Sequence, residues 1–128
     1  MLRTVLLLVI GAHGIGHILF LMPLLGIVDW GQTPRSWLIT GEAAARIIGS
    51  LLWVVVILGF VAAVAGLLGQ YPWWRTAAVV AAAISIVGLI LFWDNPVTSP
   101  VVAALVFNLL VIGALLIVHW PSIEAVGA

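Results

Sequence analysis

The chain contains no cysteine, which removes disulfides, thiolate metal sites and thiol catalysis together and leaves the compartment open. Charge is nearly as scarce. Four basic and four acidic side chains, 6% of the 128 residues, cannot furnish the polar exterior that a water-soluble domain of this length needs. The formal net charge is zero and no basic cluster forms, which argues against nucleic acid as a partner. What fills the chain instead is apolar: 66% of residues are hydrophobic and the mean hydropathy is +1.39. Lipid is therefore the solvent for most of this chain, and the bilayer its first partner.

The charges fall at Arg3, Asp29, Arg35, Glu42, Arg46, Arg75, Asp94 and Glu124. The uncharged stretches between them, 4–28, 47–74, 76–93 and 95–123, can each cross a hydrocarbon core, which takes about 20 helical residues. The pattern predicts helices at about 2–25, 42–69, 73–93 and 98–120, with an interfacial loop or short surface helix at about 26–41. Pro34, Pro72, Pro96, Pro100 and Pro121 lie in connections or at helix ends, and Pro23 in a last turn, so no helix middle is expected to be interrupted. Trp30, Trp37, Trp73, Trp74, Trp93 and Trp120 fall beside predicted ends, where an amphipathic ring prefers the headgroup layer. Trp53 alone lies deep. Arg3 before an apolar run can also open a secretory signal peptide, but this run is longer than the usual apolar region and no small-x-small cleavage site follows it.

Tight connections near 70–72 and 94–97 force antiparallel neighbours. The expected fold is all-α: a single-domain, integral membrane, up-down four-helix bundle. Arg3 and Arg75 fall on one side and Arg35 and Arg46 on the other, with Asp29, Glu42 and Asp94. The acidic bias of that second side and the free amino terminus favour both termini in the cytoplasm, in a cell membrane. Helix packing in lipid lacks a hydrophobic drive, so contact faces should carry small residues. Ala77, Ala81, Ser85 and Gly88 form such a stripe on the third helix, and Gly59, Ala63 and Gly66 on the second. These stripes suit bundle seams, or an interface with a second copy or a larger complex.

Polar side chains inside the spans are few, and in hydrocarbon they mark a site. His13 and His17 stand four apart, so both imidazoles project from one face of the first helix. At about 1.5 Å per residue His13 lies roughly 16 to 18 Å from the end that carries Arg3, which is mid-membrane. The same count from Trp120 and from Trp73 puts Asn108 and Ser85 at that depth. Turning an amide and an imidazole towards lipid would forfeit several kcal/mol of solvation, so His13, Ser85 and Asn108 are expected to face a common interior, with His17 a further candidate on the face that carries His13. There they either bind something or lock the bundle by bonding one another.

Spacing of i and i+4 also suits metal ligation by neutral imidazoles, with His13 and His17 as the candidates. The segment lacks the glutamate of a HEXXH motif, and an ion would need a third donor from Asn108, water or a second chain. Bis-histidine haem ligation within one chain would need His119, roughly 15 Å shallower than His13. No cofactor is assigned. At the head of the second helix, Glu42 and Arg46 are again four apart after a possible Thr40 cap, as an interfacial ion pair would be, although Arg46 could also hold a headgroup.

The segment Ala12-His13-Gly14-Ile15-Gly16-His17 resembles the Ala-His-Gly-x-x-His first helix of uncharacterised bacterial four-helix integral membrane proteins. The resemblance covers that helix and the overall layout. It implies the architecture, draws attention to the two histidines and brings no reaction with it. Small multidrug transporters are similar in length and helix count, but this chain lacks their carboxylate in the middle of the first helix, which argues against proton-coupled drug export. No Ser-His-acid set, paired carboxylates or phosphate-binding loop can be assembled, so catalysis is not supported. Three functions remain open: a module binding a small apolar ligand, cofactor or proton at the histidines, an accessory subunit of a larger membrane complex, and a dimeric small-molecule transporter.

Overall fold

The structure, a computed structural model, describes residues 1–29, 35–93 and 99–127. Trp30, Pro34, Asp94 and Pro96, with the whole of the turn expected at 94–97, lie outside the described residues. Within them the chain is an all-helical bundle whose four long helices are each apolar enough to cross a membrane: Leu2–Leu24, Glu42–Leu68, Trp74–Leu91 and Ser99–Ile117. We call these the first to fourth spans. The shortest, the third, has 18 residues and rises about 27 Å against a hydrocarbon thickness of about 30 Å. Trp73 and Trp93 stand half-exposed at its two ends.

The second span is the centre of the bundle. Val56, Phe60, Ala63 and Leu67 on it are fully buried, and it packs against both the first and the third spans. Close approach to the third span depends on missing side chains. A methyl group at Gly59 would lie 2.8 Å from the Ala81 Cβ, and one at Gly66 would lie 2.9 Å from the Trp74 Cβ. The buried face of the third span comprises Trp74, Ala78, Ala81, Ala82, Ser85, Gly88 and Leu89. Ala77, expected in that stripe, sits only part-buried at its edge, and Ala78 takes its place. Trp74 is corrected too: no interfacial ring, it is fully enclosed where Gly66 leaves room, and its indole Nε1 has no hydrogen-bond partner among the described residues.

Two spans depart from a regular α-helix, the first within its length and the fourth in its last turn. At His17 the backbone N–H bonds the Gly14 carbonyl at 3.3 Å rather than the carbonyl four residues back, which divides the first span into Leu2–Gly16 and Ile18–Leu24. At Gly113 the fourth span widens into a π-helical turn, Gly113–Ile117, closed by the Val118 N–H on the Gly113 carbonyl. His119 then adopts φ 54 and ends the helix, so the span stops at Ile117 and not near 120. A short helix, Ile123–Val126, follows; Ser122 caps its start and Gly127, at φ 79, its end. That helix was not anticipated, and its Val126 packs into the core.

The last carbonyls of a helix have no partner inside it, and in this bundle side chains from other segments supply them. Arg46 donates to the Pro23 and Leu24 carbonyls that end the first span, at 3.3 and 3.0 Å. Arg3 donates to Leu67 O at 3.1 Å and also to Leu68 O, at the end of the second. Trp37 Nε1 and Ser36 Oγ donate to Ile90 O and Leu91 O, at 2.7 and 2.5 Å, at the end of the third. Cations at helix C-termini also complement the helix dipole. Beyond the fourth span, Arg75 reaches the Pro121 carbonyl at 2.6 Å. The segments 26–29 and 35–41 contain no helix among the described residues and work as a strap over the helix ends.

The seam between the second and third spans predicts a contrast between two glycines. Gly59→Ala must push back Ala81 and should lower stability by about 1–3 kcal/mol. Gly113→Ala meets nothing within 4 Å and should leave stability unchanged or slightly raised. SDS unfolding midpoints of the two variants in mixed micelles check this; equal midpoints would contradict so tight a seam.

Candidate functional site

Gly14 seats the site. A methyl group there would lie 2.6 Å from the Phe60 Cβ, so its absence lets the first span press onto the second and turns the flanking imidazoles inward. His13 then stacks on Phe107 of the fourth span, with ring centroids 4.0 Å apart, and meets Phe60 edge-on at 4.9 Å. His17 lies between Phe60 at 5.7 Å and Trp53 at 5.6 Å. His17, Ser85 and Asn108 are essentially inaccessible, whereas His13 keeps part of its surface open.

These four side chains meet in one circuit. His13 Nε2 is 2.9 Å from Asn108 Oδ1, Asn108 Nδ2 is 2.7 Å from Ser85 Oγ, Ser85 Oγ is 2.7 Å from His17 Nε2, and His17 Nδ1 is 2.9 Å from the His13 carbonyl. The direction of each bond follows from the last one. A carbonyl only accepts, so His17 Nδ1 carries a hydrogen and donates, and in the neutral ring its Nε2 accepts. Ser85 must then donate its hydroxyl hydrogen to His17 and accept from the Asn108 amide. That turns Asn108 Oδ1 towards His13, whose Nε2–H donates to it. The slip of the His17 N–H onto Gly14 is what frees the His13 carbonyl for this role.

The structure thus brings together the three residues that depth counting placed at one level, His13, Ser85 and Asn108, and adds His17, the other candidate on the first helix, to them. Glu42 and Arg46 are not among them. They form a 3.0 Å ion pair at the head of the second span, with side chains 62% and 34% exposed, where such a pair contributes at most about 1 kcal/mol. The carbonyls held by Arg46 give that residue its structural purpose. His119 lies in the tail and takes no part. The metal expectation gains no support from the geometry: both nitrogens of His17 are engaged, and no group of three or more His, Cys, Asp or Glu side chains converges among the described residues.

Beside the circuit lies a cleft of about 290 Å³ between the first and fourth spans, lined by Ala12, His13, Gly16, His17, Leu19 and Phe20 on one side and Pro100, Ala103, Ala104 and Phe107 on the other. It exists because these two spans, unlike the three sequential pairs, do not pack closely along their backbones. A methyl group at Gly16 would meet nothing within 4 Å, so this glycine keeps the cleft open while Gly14, two residues earlier, closes the opposite face. Gly16 and Phe20 are legible from the sequence as neighbours of the histidines on one helix face; Phe60, Phe107 and Pro100 were not read as site residues, and of these Phe107 carried a local signal, as the neighbour of Asn108. No family model, curated protein or solved structure matches this chain.

Ser85 occupies the centre of the circuit, so Ser85→Ala strands His17 Nε2 and the Asn108 amide at once. It should lower stability by about 1–3 kcal/mol. In a double-mutant cycle with His17→Phe, the coupling should be about 0.6 kcal/mol or more, the average for hydrogen bonds between membrane helices. Additive effects in SDS titrations would show that the Ser85 to His17 bond does not form.

Proposed function

We propose that this chain is a multi-pass protein of the cell membrane, with both termini in the cytoplasm, that holds a small apolar ligand in the cleft between its first and fourth spans. The observation that carries the reading is the cleft itself: an opening beside the mid-span histidines whose lining is apolar except for His13 and His17. Ligand sites share this composition, largely apolar with a few placed polar groups. The hydrogen-bonded circuit supports the reading by holding both imidazoles in fixed orientation, as preorganised binding requires. The likeness of the first helix to the four-helix proteins with an Ala-His-Gly-x-x-His start is in keeping with a role centred on these histidines.

A second reading, an accessory subunit of a larger membrane complex, draws on a different surface. A shallow groove of about 580 Å³ runs along the outer face of the fourth span over Ser99, Val102, Ala103, Val106, Phe107 and Leu110, and Ala103 gives a neighbouring helix room to approach.

Gly16→Leu separates the two. It places a side chain in the cleft from the first span, whereas the groove, which shares Ala103 and Phe107 with the cleft, extends beyond it over Ser99, Val102, Val106 and Leu110. Protein purified gently from its membrane should carry a stoichiometric apolar molecule by native mass spectrometry, and the variant should lose it by about tenfold or more, equivalent to 1.4 kcal/mol of affinity. Equal recovery from both proteins, or none from either, contradicts the binding reading. A single large species on native gels, unchanged in the variant, would favour the subunit.

A further inference from the structure

We infer that the cleft selects ligands that donate a hydrogen bond, a hydroxyl carried on a flat apolar ring, and that His13 Nδ1 is the atom that receives it. The inference rests on the binding reading above and specifies its chemistry. Tracing the circuit backwards from the His13 carbonyl commits the hydrogen of the His13 ring to Nε2, where it serves Asn108. A neutral imidazole carries one such hydrogen, so the other nitrogen presents a lone pair, and a charged ring at this depth would be expensive. Nδ1 of His13 has no hydrogen-bond partner among the described residues, and it is not among their buried unpaired atoms. It is therefore open, on a residue that lines the cleft.

A ketone, ester or ether would bring a second acceptor against that lone pair; an alcohol or phenol would complete it. His17 offers no alternative, because both of its nitrogens are taken within the protein. The walls favour a ring over a chain. Phe107 already stacks on His13, and Phe107 and Phe20 both line the cleft, so a flat guest finds aromatic faces beside the acceptor. A volume of about 290 Å³ is at the small end for ligand sites, which run from about 300 to 1,000 Å³. That suits one compact ring system, with any tail left in the surrounding lipid.

The test compares a naphthol with its methyl ether, which keeps the ring and loses the donor, on the full chain in lipid nanodiscs, with empty nanodiscs as the reference for partition. The naphthol should bind at least about tenfold more tightly than the ether, a difference of 1.4 kcal/mol, and Gly16→Leu should abolish both. Imidazole nitrogen NMR on the same samples should show His13 protonated at Nε2 and His17 at Nδ1, with naphthol shifting the His13 Nδ1 resonance. Equal affinity for the two compounds overturns the donor requirement and leaves the cleft a binding site. Binding of neither overturns both readings. A His13 ring found protonated at Nδ1 overturns the donor requirement whatever the affinities.

Discussion

The bond from the His17 imidazole to the His13 carbonyl sets the direction of every other polar contact in the middle of the bundle, because a carbonyl can only accept. Hydrocarbon makes such control consequential. No water is at hand to satisfy a misdirected amide or hydroxyl, so a mismatch within the circuit would be costly. Ser85 and Asn108 can each serve as donor or acceptor, and alone would leave the network ambiguous. One backbone oxygen removes the ambiguity for three spans. The same requirement explains why the helix yields at His17: the carbonyl that fixes the circuit is available only because the His17 N–H has turned to Gly14.

Small residues divide the labour around this centre. Gly14 and Gly16 are neighbours in one motif with opposite duties, the first closing a contact with Phe60 and the second holding a space. Gly59 and Gly66 draw the third span against the second. The first and fourth spans lack an equivalent pairing, and His13 bridges them through Asn108 and Phe107. An opening beside a polar bridge is the outcome, and the bundle's asymmetry follows from where glycine is and is not placed.

Much of this was readable from the residues, and what was not shares a cause. The spans follow from eight charges and the distance across a bilayer, and helix rise alone placed His13, Ser85 and Asn108 at one depth, since both are properties of single segments. The slip at His17, the widening at Gly113 and the enclosure of Trp74 depend on what lies opposite: a carbonyl wanted by a ring, an open flank, a glycine on the next helix. The short helix at Ile123–Val126 has a legible cap in Ser122 but too few residues to announce itself. Arg46 looked like half of an ion pair because its sequence neighbour is Glu42; its bonds to Pro23 and Leu24 cross 22 and 23 positions that no local pattern spans.

Those side-chain ties to the helix ends also imply an order of assembly. Arg46 can grip Leu24 once the second span begins, Arg3 can grip Leu67 once that span is finished, Trp37 must wait for Ile90, and Arg75 for Pro121. Read from the ribosome outward, the partners of each fastener become available one after another in the sequence in which the chain is made. The bridge from His13 to Asn108 and Phe107 joins the first span to the fourth and so must await the last of the spans.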